Sequence, residues 1–302
     1  MIFVMGSFIV DLVSTTNKFP LPGETVKGNS FNIYPGGKGA NQAVQIKRLN
    51  GDIVLCGCMG KDSFGDMMFE AIKKEGIDTK YIKRDGFNGI SNIIVTKEGQ
   101  NSIVMNPGAN LNYTVSDLHK LDSIIDKANV CLLQLEMNID VTLELIKKAK
   151  AKKKILILNP APGMRLDSSI LNGIDYLTPN ETELSILTNI SVTHFSDAIR
   201  GSEILLNQGV KNVIVTMGKQ GSILVNKQNT LIFKSMDVNC VDSVGAGDAF
   251  NGGLAYGLDI GLPITQALEI ATICGGLSVT KYGAIPSLPY YDEVKKYINK
   301  EV

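Results

Sequence analysis

The stretch Val241-Asp242-Ser243-Val244-Gly245-Ala246-Gly247-Asp248-Ala249-Phe250 holds the residue types and spacing best suited to chemistry. Small residues lead straight into a helix-forming run. A glycine-rich turn at a helix N-terminus aims several free N–H groups at one point, and the helix dipole adds positive potential there. Such a turn, here Gly245, Ala246 and Gly247, can hold phosphate oxygens and stabilise charge developing on a transferring phosphoryl group. Asp248 falls in the first helical turn, where its carboxylate can take a proton from an attacking hydroxyl. An Asp in that place can equally do no more than complement the dipole, and the local sequence leaves both readings open. Gly252, Gly253 and Gly257 tilt the balance. Each costs about 1 kcal/mol in a helix interior relative to Ala, which signals a closely approached backbone. The segment is neither a P-loop nor a dinucleotide fingerprint, since neither glycine spacing occurs.

These residues need a scaffold, and the chain is long enough to supply one. It has 302 residues, 44% hydrophobic and 20% charged, with 30 basic residues against 30 acidic. Zero formal charge argues against a nucleic-acid partner, which calls for a basic stripe, and against attraction to an anionic membrane. No apolar run approaches the roughly 18 residues that span a bilayer, and residues 1–6 lack the basic stretch of a signal peptide. Four of the five cysteines, Cys56, Cys58, Cys131 and Cys274, sit among apolar or small neighbours. They read as buried, reduced thiols of a cytoplasmic protein.

Apolar, β-rich runs at 2–5, 53–58, 130–135, 155–158, 174–177 and 213–217 alternate with helical patterns at 39–49, 64–74, 139–149, 181–187 and 196–207. That alternation predicts a mainly parallel sheet with helices on both faces, a three-layer α/β/α sandwich. Residues of about 12–34 and 89–104 break the rhythm with strand-like alternation and turn residues. They predict antiparallel ribbons forming a small protruding β-sheet lid, inserted in a single domain over 1–302. Helices are expected again at 246–258, 263–280 and 290–299.

Two long motifs, in order, carry a resemblance. Asp242-Ser243-Val244-Gly245-Ala246-Gly247-Asp248 resembles the C-terminal signature of the ribokinase-like, or PfkB, carbohydrate kinases, and Pro35-Gly36-Gly37-Lys38-Gly39-Ala40-Asn41-Gln42-Ala43 resembles their N-terminal one. The likeness runs end to end and includes Gly6-Ser7 with Asp11, Gln134-Leu135-Glu136, Asn159-Pro160-Ala161-Pro162 and Thr178-Pro179-Asn180-Glu181-Thr182-Glu183. Within the family it is nearest to ribokinases and deoxyribokinases.

The resemblance implies an ATP-dependent kinase acting on the 5-hydroxyl of D-ribose, with Asp248 as base and Gly245, Ala246 and Gly247 as anion hole. Asp11, Gly37, Lys38, Gly39, Asn41 and Glu136 would hold sugar hydroxyls. Asn180 and Glu183 would organise Mg²⁺ and phosphates, although Asn-x-x-Glu is also a helix cap. Thr216, Gly218, Lys219 and Gly221 would line the nucleotide, and Thr272 the adenine. A monovalent cation, K⁺, would sit on backbone oxygens of Asp242, Val244, Ser278, Lys281, Gly283 and Ser287, the alternative being that Asp242 only caps its turn. An exposed lid edge implies a homodimer through the lids.

The chain departs from the pattern at Ile9, where ribokinases carry Asn two residues before the sugar-binding Asp. An alkyl group cannot pair a sugar hydroxyl, and deoxyribokinases are similar in being apolar there. A 2-deoxy-D-ribose kinase is therefore the nearest alternative, followed by a nucleoside kinase. A non-catalytic sugar sensor would have lost Asp248 or its glycines, and both are intact.

Overall fold

The computed structural model describes residues 1–298. In chain order its strands are β1 (Ile2–Met5), β2 (Ile9–Thr16), β3 (Ser30–Gly36), β4 (Ile53–Met59), β5 (Ile82–Arg84), β6 (Gly89–Thr96), β7 (Asn101–Asn106), β8 (Val130–Leu133), β9 (Ile155–Leu158), β10 (Tyr176–Leu177), β11 (Asn212–Thr216), β12 (Ser222–Asn226) and β13 (Thr230–Phe233). Its helices are α1 (Lys38–Arg48), α2 (Ser63–Lys74), α3 (Val115–His119), α4 (Asp122–Lys127), α5 (Ile139–Ala151), α6 (Ser168–Leu171), α7 (Glu181–Thr188), α8 (Phe195–Asn207), α9 (Ala246–Asp259), α10 (Ile264–Ser278) and α11 (Tyr291–Val294).

The main sheet runs β13-β12-β11-β10-β9-β8-β1-β4-β5. Its pairs are parallel from β11 to β5, and antiparallel where β12 and β13 finish one edge. The continuous apolar runs are explained by burial on both faces. Ile2 and Val4 of β1 join the layer of α1, α9 and α10, while Phe3 and Met5 join the layer of α5 and α8. Cys56 and Cys58 lie side by side in that second layer, and only Cys240 of the five free cysteines is exposed. No helix among the described residues is long and apolar enough to cross a membrane.

The lid is a sheet of order β3-β2-β6-β7. The expected antiparallel ribbons are present as β2–β3 and β6–β7, but the central pair, β2 with β6, is parallel. Both ribbons leave the C-terminal edge of a parallel sheet, β2 after β1 and β6 after β5, so their first strands run the same way. The lid also starts earlier than the expected residue 12. Its first strand includes Ile9 and Asp11 and so carries two candidate site residues into the lid. The sequence pattern overlooked β5 and the β12–β13 edge, which are short and hold no more than three consecutive apolar residues each. Strand β8 stops at Leu133 instead of 135, because Leu135 N–H turns to the Ala161 carbonyl. The helix expected over 290–299 narrows to α11, with turns up to residue 298, and residue 299 lies outside the described residues.

The glycines of α9 lie where helices meet. A Cβ on Gly252 would stand 2.6 Å from Gln45 Cβ of α1, on Gly253 2.9 Å from Ala271 Cα, and on Gly257 2.7 Å from Ala267 Cα of α10. Helix propensity alone says that Gly257→Ala gains up to ~1 kcal/mol. The clash wins if α10 cannot move, so Gly257→Ala should instead destabilise by about 1–3 kcal/mol. Denaturant unfolding reads the sign, and a stabilised variant would refute the packing account.

Candidate active site

Asp248 stands in the first turn of α9, whose N-cap, Gly245, has a left-handed φ of 80° and no side-chain cap. Ala246 N–H reaches the Ser243 carbonyl, and Ala249 N–H opens the helical ladder at Gly245. Ala246, expected in the anion hole, therefore spends its N–H on the loop, and the N–H groups of Gly245, Gly247 and Asp248 are those this helix end offers to an anion. Gly247 is exposed, and a Cβ there would meet nothing within 4 Å, so the approach to this end is open. The Asp248 side chain is buried. Its Oδ2 accepts from Asn41 Nδ2 at 2.8 Å, and its Oδ1 accepts from Gln42 Nε2 at 3.0 Å. Since a carboxylate only accepts, the amide nitrogens must face it. Asn41 Oδ1 is left buried without a partner, an acceptor suited to a hydroxyl.

Helix α1 begins against the end of β1, where Gly6 and Gly39 are so close that a Cβ on either would lie 2.2 Å from the other's Cα. This close approach brings the α1 N-terminus to Glu136, in the loop after β8. Glu136 Oε2 accepts from Ser7 Oγ and, at 3.0 Å, from Lys38 N–H, and Gly39 N–H reaches Ser7 Oγ at 3.3 Å. Two of the N–H groups expected to serve a sugar are therefore given to the protein itself. What gathers at this helix end is chiefly charge. Burial pulls the Lys38 ammonium down, but the carboxylates of Asp248, Glu136, Glu183 and Asp11 outweigh it and hold its pKa above the ordinary value. Burial pushes Glu136 and Glu183 up in turn. Asp11, half-buried, is pushed up to about 6 by burial, with Glu136 and Asp248 adding to the effect and the Ser91 hydroxyl and Lys38 opposing it. Ile9, two residues earlier on the same strand face as Asp11, is 1% exposed.

On the other side, Asn180 caps α7. Its Oδ1 accepts from Glu183 N–H at 2.8 Å, and Glu183 Oε2 accepts from Asn180 N–H at 2.9 Å. The capping box that Asn-x-x-Glu could signify is present. It leaves the second Glu183 oxygen uncommitted by that pair. An isolated bridge from Asn180 to Thr216 sets this helix end beside the turn Gly218–Gln220, where Gly218 and Lys219 are exposed and Gly221 takes a φ of 102°. Thr272, on α10, has a buried hydroxyl without a partner, and no hydrogen bond joins it to the other candidates. No group of three or more His, Cys, Asp or Glu placed for a metal ion occurs among the described residues.

Asp242 joins two segments. Its Oδ1 accepts from Val244 N–H at 3.0 Å and its Oδ2 from Gly283 N–H at 2.9 Å, while Val241 and Asp242 N–H both reach the Val279 carbonyl. The capping role is therefore real. Ser278 and Ser287 spend their hydroxyls on the Gly275 and Ala284 carbonyls, and Lys281 pairs with Glu293.

Residues given no role from sequence tie this arrangement together: Ser91 and Asn251, and Ser7, Gln42, Gln134, Asn159 and Thr178, which the family resemblance included without assigning them a part. All seven are buried. A cue existed in the run Asn41-Gln42 with Gln45, polar residues on the inward face of α1.

The pfkB family carbohydrate kinase model matches residues 1–290. The ribokinase of Haemophilus influenzae is 34% identical over 300 residues, 98% of this chain and 97% of that protein. The deoxyribokinase of Salmonella typhi is 34% identical over 301 residues, covering 99% and 98%. The structure of Arabidopsis thaliana ribokinase complexed with ribose and ATP superposes with a TM-score of 0.91 at 28% identity, covering 99% of each chain.

The elevated Asp11 pKa has a consequence for stability. From an ordinary 3.8 to about 6, the folded chain favours the protonated form. That contribution is fully present below the ordinary value and is lost as pH rises through about 6. Ionised Asp11 is thus a liability without a ligand. Asp11→Asn should stabilise the free protein near pH 7 by ~1–2 kcal/mol, with the gain shrinking toward about pH 4. Thermal melts across pH test this, and a gain that is flat with pH would refute it.

Proposed function

The chain belongs to the pfkB family of carbohydrate kinases and is a phosphotransferase acting on an alcohol group, and from that premise we propose that it transfers the γ-phosphoryl group of ATP to the 5-hydroxyl of D-ribose. The products are D-ribose 5-phosphate and ADP. The observation that carries this reading is the Asp248 carboxylate, clamped by Asn41 and Gln42 at the open N-terminus of α9. Asp248 takes the hydroxyl proton as the oxygen attacks phosphorus, and the bond to the ADP oxygen breaks. The N–H groups at Gly247 and Asp248 stabilise the charge on the transferring group. Asp11, Glu136 and the free Asn41 oxygen receive sugar hydroxyls. Thr216, Gly218, Lys219 and Gly221 line the nucleotide, and the orphan Thr272 hydroxyl meets the base. The whole chain acts as one domain, with the lid closing over the sugar and excluding water.

The donor set beside the nucleotide fits a Mg²⁺ that keeps most of its waters and rides on phosphates, with the uncommitted Glu183 oxygen facing it. Such an ion would neutralise phosphate charge. At Asp242 the hydroxyls and carboxylate are already paired, so neutral backbone oxygens remain, a set suited to a large monovalent ion such as K⁺. The lid exposes Phe31, Ile33 and Val104 on one face, with Phe31 59% exposed. A homodimer through the lids would cover them. The buried thiols fit a reducing compartment such as the cytoplasm.

Asp248→Asn keeps both amide neighbours and the volume but removes the base. It should retain sugar affinity and lose at least ~10³-fold in kcat. A coupled ADP assay with sugar titration checks this, and near-normal turnover would end the assignment.

One observation favours a second reading, a 2-deoxy-D-ribose kinase. Ile9 is apolar and buried on the Asp11 face of β2, and the deoxyribokinase of Salmonella typhi is as similar as the ribokinase of Haemophilus influenzae. A hydroxyl left unpaired against it costs about 1–3 kcal/mol. Ile9→Asn should move the kcat/KM ratio toward ribose over 2-deoxyribose by ~10-fold. An unmoved ratio would mean that position 9 does not read the 2-hydroxyl.

A further inference from the structure

We propose that Gln42 is a positioning residue for Asp248 and the head of a closed ring of hydrogen bonds that holds the base and the anion-binding turn in one frame. The inference rests on Asp248 acting as the base. Gln42 lies on α1 with no exposed surface, so it serves no ligand directly. Its Nε2 donates to Asp248 Oδ1 at 3.0 Å and to Asn159 Oδ1 at 3.2 Å. Asp248 being acceptor-only sets the amide's orientation, and Gln42 Oε1 turns away to accept from Gln134 Nε2. The path goes on from Asn159, whose Nδ2 donates to the Thr178 carbonyl at 3.0 Å. Thr178 Oγ1 donates to Asn251 Oδ1 at 2.6 Å, and Asn251 Nδ2 donates to the Gly247 carbonyl at 2.8 Å. Gly247 adjoins Asp248, and the ring closes.

The acceptor-only Asp248 carboxylate sets the donor direction through Gln42 to Asn159, and the Gly247 carbonyl sets it through Asn251 to Thr178. Gln42, Asn159, Thr178 and Asn251 are all 6% exposed or less, a place where polar groups persist only when paired. The ring crosses α1, the ends of β9 and β10, and α9. Turning the Asp248 carboxylate breaks its bonds to Asn41 and Gln42, and shifting the Gly247 peptide breaks the bond to Asn251. The two groups that must meet the reacting atoms together are thereby tied to the same sheet edge, where a misplacement of about 1 Å can cost 10²-fold in rate.

The test compares Gln42→Met, Gln42→Glu and Thr178→Val in the full chain. Gln42→Met keeps length and loses the amide. It should cut kcat by ~10- to 100-fold and leave sugar KM within ~3-fold, since Asp11 and Glu136 are untouched. Thr178→Val opens the ring on its far side and should lower kcat by a smaller factor, ~3- to 10-fold. In Gln42→Glu the introduced carboxyl donates to Asp248 only when protonated. Its kcat relative to the unaltered protein should therefore climb as pH falls from about 8 to about 6. The other charged groups around Asp248 (Lys38, Asp11, Glu136 and Glu183) are common to both proteins, so the ratio isolates position 42. A merely packing role gives a pH-flat ratio. That result overturns the proposal, as does a Gln42→Met kcat within 2-fold of normal or a KM that rises as much as kcat falls. Should Gln42→Met not fold, the other two variants decide. These failures, with Asp248→Asn inactive, sink only the ring. An active Asp248→Asn sinks the base assignment itself.

Discussion

One ammonium lies within the electrostatic reach of four carboxylates. Lys38 stands among Asp248, Glu136, Glu183 and Asp11, and the rest of the site is an answer to that imbalance. Each carboxylate is held differently. Glu136 takes a hydroxyl and the first N–H of α1, Glu183 closes a helix cap, Asp248 takes two amides, and Asp11 takes the Ser91 hydroxyl. Burial still pushes Glu136, Glu183 and Asp11 upward. Such a cluster is unfavourable by itself and becomes favourable once hydroxyl donors and a cation arrive. On the proposed function, a polyol and a magnesium-bound nucleotide would bring both.

The fold supplies what the cluster cannot, namely direction. Helices α1, α7 and α9 all begin at the C-terminal edge of the parallel sheet, where their N-termini add positive potential opposite the carboxylates. The glycines along α9 set the distances. They let the helix lie against α1 and α10 closely enough for Asn41 and Gln42, on one helix, to reach Asp248 on another. The same edge launches the lid. Because β2 starts at Ile9, the lid sheet also carries Asp11 and the apolar residue two positions before it. On the proposed function, lid position and sugar affinity are thus mechanically one matter.

Much of this was legible in the residues themselves. Strands buried on both faces leave unbroken apolar runs, and glycines before Asp248 advertise a turn that no other residue makes as readily. Those signals are local, and local physics produces them. The interior glycines Gly252, Gly253 and Gly257 announced a close approach without saying to what, and Asn180 with Glu183 announced the cap that the structure shows beside Thr216. The parallel β2–β6 pairing and the inward use of the Lys38 and Gly39 N–H groups carry no local mark, and the inward polar run Asn41-Gln42 with Gln45 hinted at a buried network without showing that it closes through Asn159, Thr178 and Asn251. Gln42 and Asp248 are separated by 206 positions, and a buried amide looks like any other until its partner is known. Composition and periodicity mark most of the strands and helices and the glycine-rich turn, because those follow from neighbours along the chain. Only the tertiary structure decides which polar groups meet and which stay free for a ligand, because hydrogen bonds in a dry interior are satisfied across the fold.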